Sequence, residues 1–218
     1  MKTVAFVPIK LNSTRLKNKN ILPFGIPGHE KPLLQYIFEI LLKVKNIDEI
    51  YCYSSNEQVK KYLPLGIKFL VRDKYLDGDK VTSNELLYYF ANDVHADNYV
   101  LTHATNPLIK SETIEKIIDS VVSGNHDSAM TVQRIQDLMW INGKPNFDPA
   151  NAPPTQDISP IFKETYGAIC LKRDIIINYK RRAGFSPAFI EVSEVEAVDI
   201  NTLEDFSFAQ ALYQYLNR

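Results

Sequence analysis

Between Pro8 and Asn20 the chain reads Pro-Ile-Lys-Leu-Asn-Ser-Thr-Arg-Leu-Lys-Asn-Lys-Asn, with Lys10, Arg15, Lys17 and Lys19 falling within ten residues. Hydroxyl and amide side chains (Asn12, Ser13, Thr14, Asn20) are interleaved with these cations. A loop of this kind can meet a polyphosphate with charge and with directed N–H donors together. It contains no Gly-x4-Gly-Lys-Ser/Thr and no Gly-x-Gly-x-x-Gly, and its first following glycine is Gly25, so neither a P-loop nor a dinucleotide turn is present. Charge alone leaves two readings of the loop open, an anion site and a solvated basic surface.

The elements around it must say where it sits. Val4-Ala5-Phe6-Val7-Pro8 is a buried-strand run, so the loop leaves a strand at its carboxyl end. Pro32 to Lys45 carries Leu33, Ile37, Ile40, Leu41 and Val44 on one helical face. Strands follow at Glu49–Ser54, Lys68–Val71 and Tyr99–Leu101, with a polar helix near Glu57–Leu63. Helices are expected at Ser83–Asn92 (capped by Ser83) and at Lys110–Val122 (capped by Ser111). This alternation predicts a mostly parallel sheet between two helical layers, where ligands gather at the carboxyl ends of the strands.

Between residues 127 and 165 the rhythm changes. Ser128–Val132 and Leu138–Asn142 look like strands with a turn at Asn142-Gly143, and Lys144 to Pro160 contains five prolines. Regular elements return at Gly167–Leu171, Arg173–Tyr179, Phe189–Val192 and Thr202–Tyr215. The expectation is one domain over 1–218, with 127–165 as a flap or dimerisation arm. Trp140, on a strand-like run, is expected in a core or a dimer interface.

Composition narrows the classes. With 218 residues and 45% hydrophobic content the chain can build a core without staples. Twenty-five basic against 26 acidic residues leave a formal charge of −1, which argues against a protein that depends on a broadly basic surface for nucleic acid. The two cysteines, Cys52 and Cys170, lie in apolar runs, which disfavours a disulfide framework or a Cys-rich metal site. No apolar stretch reaches 18 residues and no leader is seen, so the expected setting is a reducing cytoplasm, away from membranes.

The order of residues from Pro8 to Asn20, followed by Ile21-Leu22-Pro23-Phe24, resembles the amino-terminal signature of the acylneuraminate cytidylyltransferase (CMP-sialic acid synthetase-like) family, with Ser13, Leu16, Lys19 and Asn20 in register and Lys10 where an Arg is usual. The likeness continues in order along the chain. It takes in Ser54-Ser55-Asn56-Glu57, Val71-Arg72 before Asp77-Gly78-Asp79, Thr105-Asn106-Pro107-Leu108, the run Gln156 to Glu164 with Gly167-Ala168-Ile169, and Val198-Asp199-Ile200-Asn201-Thr202. Any one motif is weak, and six in sequence are strong.

The resemblance implies a three-layer Rossmann-like fold of the nucleotide-diphospho-sugar transferase type. It also implies transfer of CMP from CTP to an anionic acceptor, with release of pyrophosphate. Such transfer asks for charge neutralisation and positioning. On this reading Pro8, Ile9, Lys10, Asn12, Ser13, Lys19 and Asn20 meet the triphosphate, and Arg72, Asp79, Thr82 and Ser83 lie near the base. Asp199, with Asn201 on the same side of an extended segment, would hold Mg²⁺. Lys10, Lys19 and Asp199 are then the catalytic candidates. His103, Thr105, Asn106, Lys163 and Tyr166 are the acceptor-side candidates. Arg15 and Lys17 receive no role.

His103-Ala104, Ile109 and Tyr166 stand where the family has Gln-Pro, Arg and Asn. Those departures leave the acceptor open between a nonulosonic acid, a 3-deoxy-octulosonate-like acid and a smaller phosphate- or phosphonate-bearing acid. A homodimer is implied. Two other readings stand beside this one: a nucleotidylyltransferase using another nucleotide, whose usual Gly-x-Gly-Thr-Arg loop is missing, and a non-catalytic nucleotide-binding homologue, favoured by Lys10 and Asn201.

Overall fold

The computed structural model describes residues 1–218. Seven strands form the main sheet: β1 (Thr3–Pro8), β2 (Glu49–Ser54), β3 (Lys68–Val71), β4 (Asn98–Thr102), β5 (Ser128–Ile135), β6 (Ile161–Lys172) and β7 (Pro187–Glu191). Their spatial order is β7-β5-β6-β4-β1-β2-β3. All pairs are parallel except those of β6, which runs antiparallel to both β4 and β5. No α-helix lies between β5 and β6 to carry the chain across a face, so the chain returns alongside the strand it has just left. Of the segment expected as an arm, Ser128–Ile135 and everything from Ile161 onward belong to this sheet. Residues 136–160 remain between them and include a small ladder of Trp140–Ile141 with Lys144–Pro145. Asn142 and Gly143, at φ 52° and 75°, make its turn. Trp140 is exposed and meets only Phe147 edge-on, so it is not part of the core.

There are five α-helices, α1 (Leu33–Leu41), α2 (Ser83–Asp93), α3 (Ser111–Val122), α4 (Arg173–Tyr179) and α5 (Leu203–Leu216), of which the first four pack on the sheet. The alternating side chains of β1 divide the core in two. Ala5 and Val7 face Leu34, Ile37 and Ile117 on α1 and α3, and Val4 and Phe6 face Leu87, Phe90 and Ile176 on α2 and α4. A third cluster joins Phe24 and Tyr36 to Ala209 of α5 and to Ile200. None of the helices is long and apolar enough to cross a membrane.

Helix starts differ by one residue from expectation. Thr82, not Ser83, caps α2, because Glu85 three residues on completes a reciprocal capping box with it. The cap position of α3 is Lys110, and Ser111 is already helical. Thr202 caps α5 through a second capping box, with Asp205.

Candidate active site

The sheet order reverses at β1, whose neighbours β2 and β4 lead the chain in opposite directions, and a crevice forms there beyond the carboxyl ends of β1 and β4. Two adjoining cavities, of about 460 and 640 Å³, occupy this crevice and share Arg15, Lys19, His103 and Thr105. The larger is completed by Pro8, Lys10, Ser13, Asn20 and Asp79, so the loop after β1 and the loop after β3 form its walls. The smaller is completed by Ser83, Tyr166, Asp199 and Asn201.

Ile200 explains the aim of the last two. Its side chain is fully buried against α5, so in the extended segment Asp199 and Asn201 both turn the other way, into the smaller cavity. Asn201 Nδ2 donates to Asp199 Oδ2 at 2.5 Å. The Ile200 backbone is braced at both groups: its N–H donates to Thr105 O at 2.9 Å, and its carbonyl accepts from Lys19 Nζ at 2.5 Å. One residue thus ties the first loop, the end of β4 and the carboxylate segment together.

Lys19 is buried. Desolvation is the leading cause that holds its pKa below 10.5, with Asp199 and Asp205 pulling the other way. Lys10 donates to Asp79 Oδ1 at 2.9 Å and to Asp77 O at 3.3 Å, so a bound polyphosphate would compete with Asp79 for it. Arg15, by contrast, forms no ion pair, although it lines both cavities. Its position in the basic loop is plain from the sequence, but its place at the junction of two cavities depends on the fold.

His103 has a buried Nε2 without a partner, and desolvation pushes its pKa down to about 4 despite the nearby Asp199. The ring is therefore neutral at physiological pH. Tyr166 faces it edge-on at 6.4 Å between ring centroids.

Other expected site residues lie elsewhere. Arg72 is buried, with its Nη2 on Asp77 Oδ1 at 2.7 Å and its guanidinium 5.7 Å from the Tyr53 ring centroid, so it anchors the loop after β3 from behind. Ile9 packs in the core. Asn12 and Lys163 are exposed outside both cavities, Lys163 opposite Gln133 in the β5–β6 ladder. Asn106 is fully buried and donates to Thr165 O at 3.2 Å and Val198 O at 3.0 Å, bracing the segments that carry Tyr166 and Asp199. Thr82 spends its hydroxyl on Glu85. Replacing Thr82 by Ala should cost about 1 kcal/mol, a fall in the unfolding midpoint of roughly 2–4 °C, with ligand binding in the crevice unchanged. Scanning fluorimetry and a binding measurement decide this, and weaker binding without loss of stability would return Thr82 to the site.

No group of three or more His, Cys, Asp or Glu side chains converges anywhere in the chain. Asp199 is nonetheless in no ion pair and has an amide beside it, and a hard-oxygen set of this kind suits Mg²⁺, which takes few protein carboxylates and completes its shell from phosphates and water.

The arrangement can neutralise a polyphosphate in one cavity and place an acceptor beside it in the other. Comparison with known proteins gives the family. Residues 4–152 match the cytidylyltransferase family, and the chain belongs to it. It is a CTP-dependent transferase of cytidylyl groups. The pseudaminic acid cytidylyltransferase of Campylobacter jejuni subsp. jejuni serotype O:2 is 24% identical across 98% of this chain and 97% of its own. A Helicobacter pylori protein, a pseudaminic acid cytidylyltransferase joined to a UDP-2,4-diacetamido-2,4,6-trideoxy-β-L-altropyranose hydrolase, is 33% identical over 43% of this chain and 18% of its own. Among solved structures, a CMP:2-keto-3-deoxy-manno-octonic acid synthetase in complex with CTP superposes with TM-score 0.76 at 18% identity, covering 97% of this chain and 98% of that one. A 4-diphosphocytidyl-2C-methyl-D-erythritol synthase from Anaerococcus prevotii follows at TM-score 0.67 and 13% identity, over 100% and 96%. At these identities the structures speak for the fold alone.

Proposed function

We propose that the enzyme transfers CMP from CTP to a nonulosonic acid of the pseudaminic type, releasing pyrophosphate. The observation that carries this reading is the end-to-end match to a pseudaminic acid cytidylyltransferase, with 97% of that relative covered. A smaller cavity of about 460 Å³ with a cationic side and an aromatic wall supports an acidic sugar of that size.

In this reading CTP lies in the larger cavity, where Lys10, Arg15 and Lys19 neutralise the triphosphate and Ser13 and Asn20 contribute polar contacts. Asp199 and Asn201 would hold Mg²⁺, which when bound offsets charge on the phosphate oxygens. The acceptor hydroxyl would lie in line with the α-phosphorus; its oxygen bonds to phosphorus as the bond to the β-phosphate oxygen breaks, pyrophosphate leaves, and the hydroxyl proton passes to water in the open crevice. An imidazole whose pKa is about 4 is too weak a base for efficient proton transfer near neutrality. His103 is therefore a hydrogen-bond partner of the acceptor through its free Nε2, rather than the base. Residues 136–160 are the segment through which two copies would associate as a homodimer.

Thermal unfolding with Mg²⁺ and each of CTP, UTP, GTP and ATP tests the donor. A nucleotide present at 100 times its Kd adds about 2.7 kcal/mol, a rise of roughly 5–10 °C for a chain of this length, and only CTP should give it. Pyrophosphate release with pseudaminic acid, N-acetylneuraminic acid, 3-deoxy-octulosonate and a phosphonate acid then identifies the acceptor. Turnover fastest with the phosphonate would overturn the sugar-acid reading while leaving the cytidylyltransferase intact.

A further inference from the structure

Arg182 lies in the loop after α4, a run of three cations from Lys180 to Arg182 with no obvious role in the sequence. Its backbone N–H donates to Asn84 Oδ1 at 3.1 Å, which pins the loop to the first turn of α2 beside Ser83, a residue of the smaller cavity. Its side chain reaches β6. Nη1 forms an ion pair with Glu164, and the guanidinium carbon lies 5.5 Å from the centroid of the Tyr166 ring. That distance is within cation–π range.

Tyr166 needs such support. It holds a left-handed φ of 57°, unusual for a bulky side chain, inside the irregular stretch of β6 between Glu164 and Ile169. The irregularity turns its ring into the smaller cavity, where one side faces His103 and another the Arg182 guanidinium. Glu164 precedes Tyr166 by two residues and fixes the guanidinium, and the guanidinium in turn fixes the ring. A fork-shaped cation suits this task better than a lysine would, since it can pair by its edge and stack by its face at once.

Resting on the reading of the smaller cavity as the acceptor subsite, we infer that Arg182 is a positioning residue that, together with Glu164, sets the Tyr166 wall and with it the enzyme's choice of sugar acid. It acts through Tyr166 and makes no contact with the nucleotide cavity. The pair is partly exposed, so it contributes little to stability.

The test is steady-state pyrophosphate release with CTP and the best sugar acid. R182A should raise the KM for the acid by about 10- to 100-fold, as small misplacements in a site do, while the KM for CTP stays within about twofold. R182K, keeping charge without the fork, should recover part of the loss. Y166A should lose a similar amount, and the double variant R182A/Y166A should lose no more than the worse single one, because both act through the same ring. Losses that add, an equal rise in the KM for CTP, or an acid KM that does not move would each overturn the inference while leaving the proposed function standing. A wild-type enzyme that turns over none of the sugar acids would instead remove the functional reading and this inference with it.

Discussion

Replacing Asp199 by Ala should lower kcat about 10²- to 10³-fold, the loss seen when one preorganised electrostatic partner leaves a transition state. The magnitude follows from what surrounds it. Asp199 is the only carboxylate lining the smaller cavity, and the larger one offers just Asp79, which is already paired with Lys10. Asp205, the next carboxylate, is spent on the Asn201 and Thr202 N–H groups, and Asn201 brings an amide where a second carboxylate would have shared the load. A divalent cation held here would lose its only anionic protein ligand. The fold should not notice: the sole hydrogen bond recorded to this carboxylate comes from the Asn201 side chain, and the segment is held by Ile200. The measurement is pyrophosphate release at saturating CTP and Mg²⁺, with the unfolding midpoint as control. Activity within tenfold of wild type, in a folded variant, would show that Asp199 is not the metal ligand.

How much of this was legible beforehand depended on whether local chemistry or distant packing decided the outcome. Glu49–Ser54, Lys68–Val71 and Arg173–Tyr179 fall at their expected boundaries, because short apolar runs flanked by polar turns leave little freedom of register. The Asp199–Asn201 geometry followed from the two-residue period of an extended segment and needed only Ile200 to be buried. The caps were harder. Thr82 and Ser83 are both good cap residues, and only the position of Glu85 selects the first. The start of β6 was missed because Pro160 precedes it and Phe162 and Lys163 are exposed, so it lacks the signal of a buried strand. Lys163, matched by motif, lines neither cavity, and Arg182 reaches the wall of the crevice instead from 16 residues beyond Tyr166. No spacing in the sequence announces that exchange, because it depends on how the α4 loop docks on α2.

Lys19 offers the second large effect, and one that separates function from stability. Burial is the leading cause of its lowered pKa, so the unfolded chain holds that proton more tightly than the folded one. Keeping Lys19 charged therefore costs stability at neutral pH, and the cost fades as pH rises through its folded pKa towards the unfolded value of 10.5. A triphosphate brought into the larger cavity would supply the direct ion pair that Lys19 lacks in the free enzyme, which makes the desolvated ammonium a preorganised binding group. Lys19→Met removes the charge and keeps most of the volume. It orphans the Ile200 carbonyl, a loss that opposes the gain from removing a desolvated cation. The expected result is an unfolding midpoint within about 2 °C of wild type, while kcat/KM for CTP falls about 100-fold or more. Scanning fluorimetry with and without CTP reads both halves, since the variant should also lose most of its nucleotide-induced shift. A midpoint lower by more than about 5 °C with the CTP shift intact would make Lys19 a structural bolt to Ile200, and the task of neutralising the triphosphate would pass to Lys10 and Arg15.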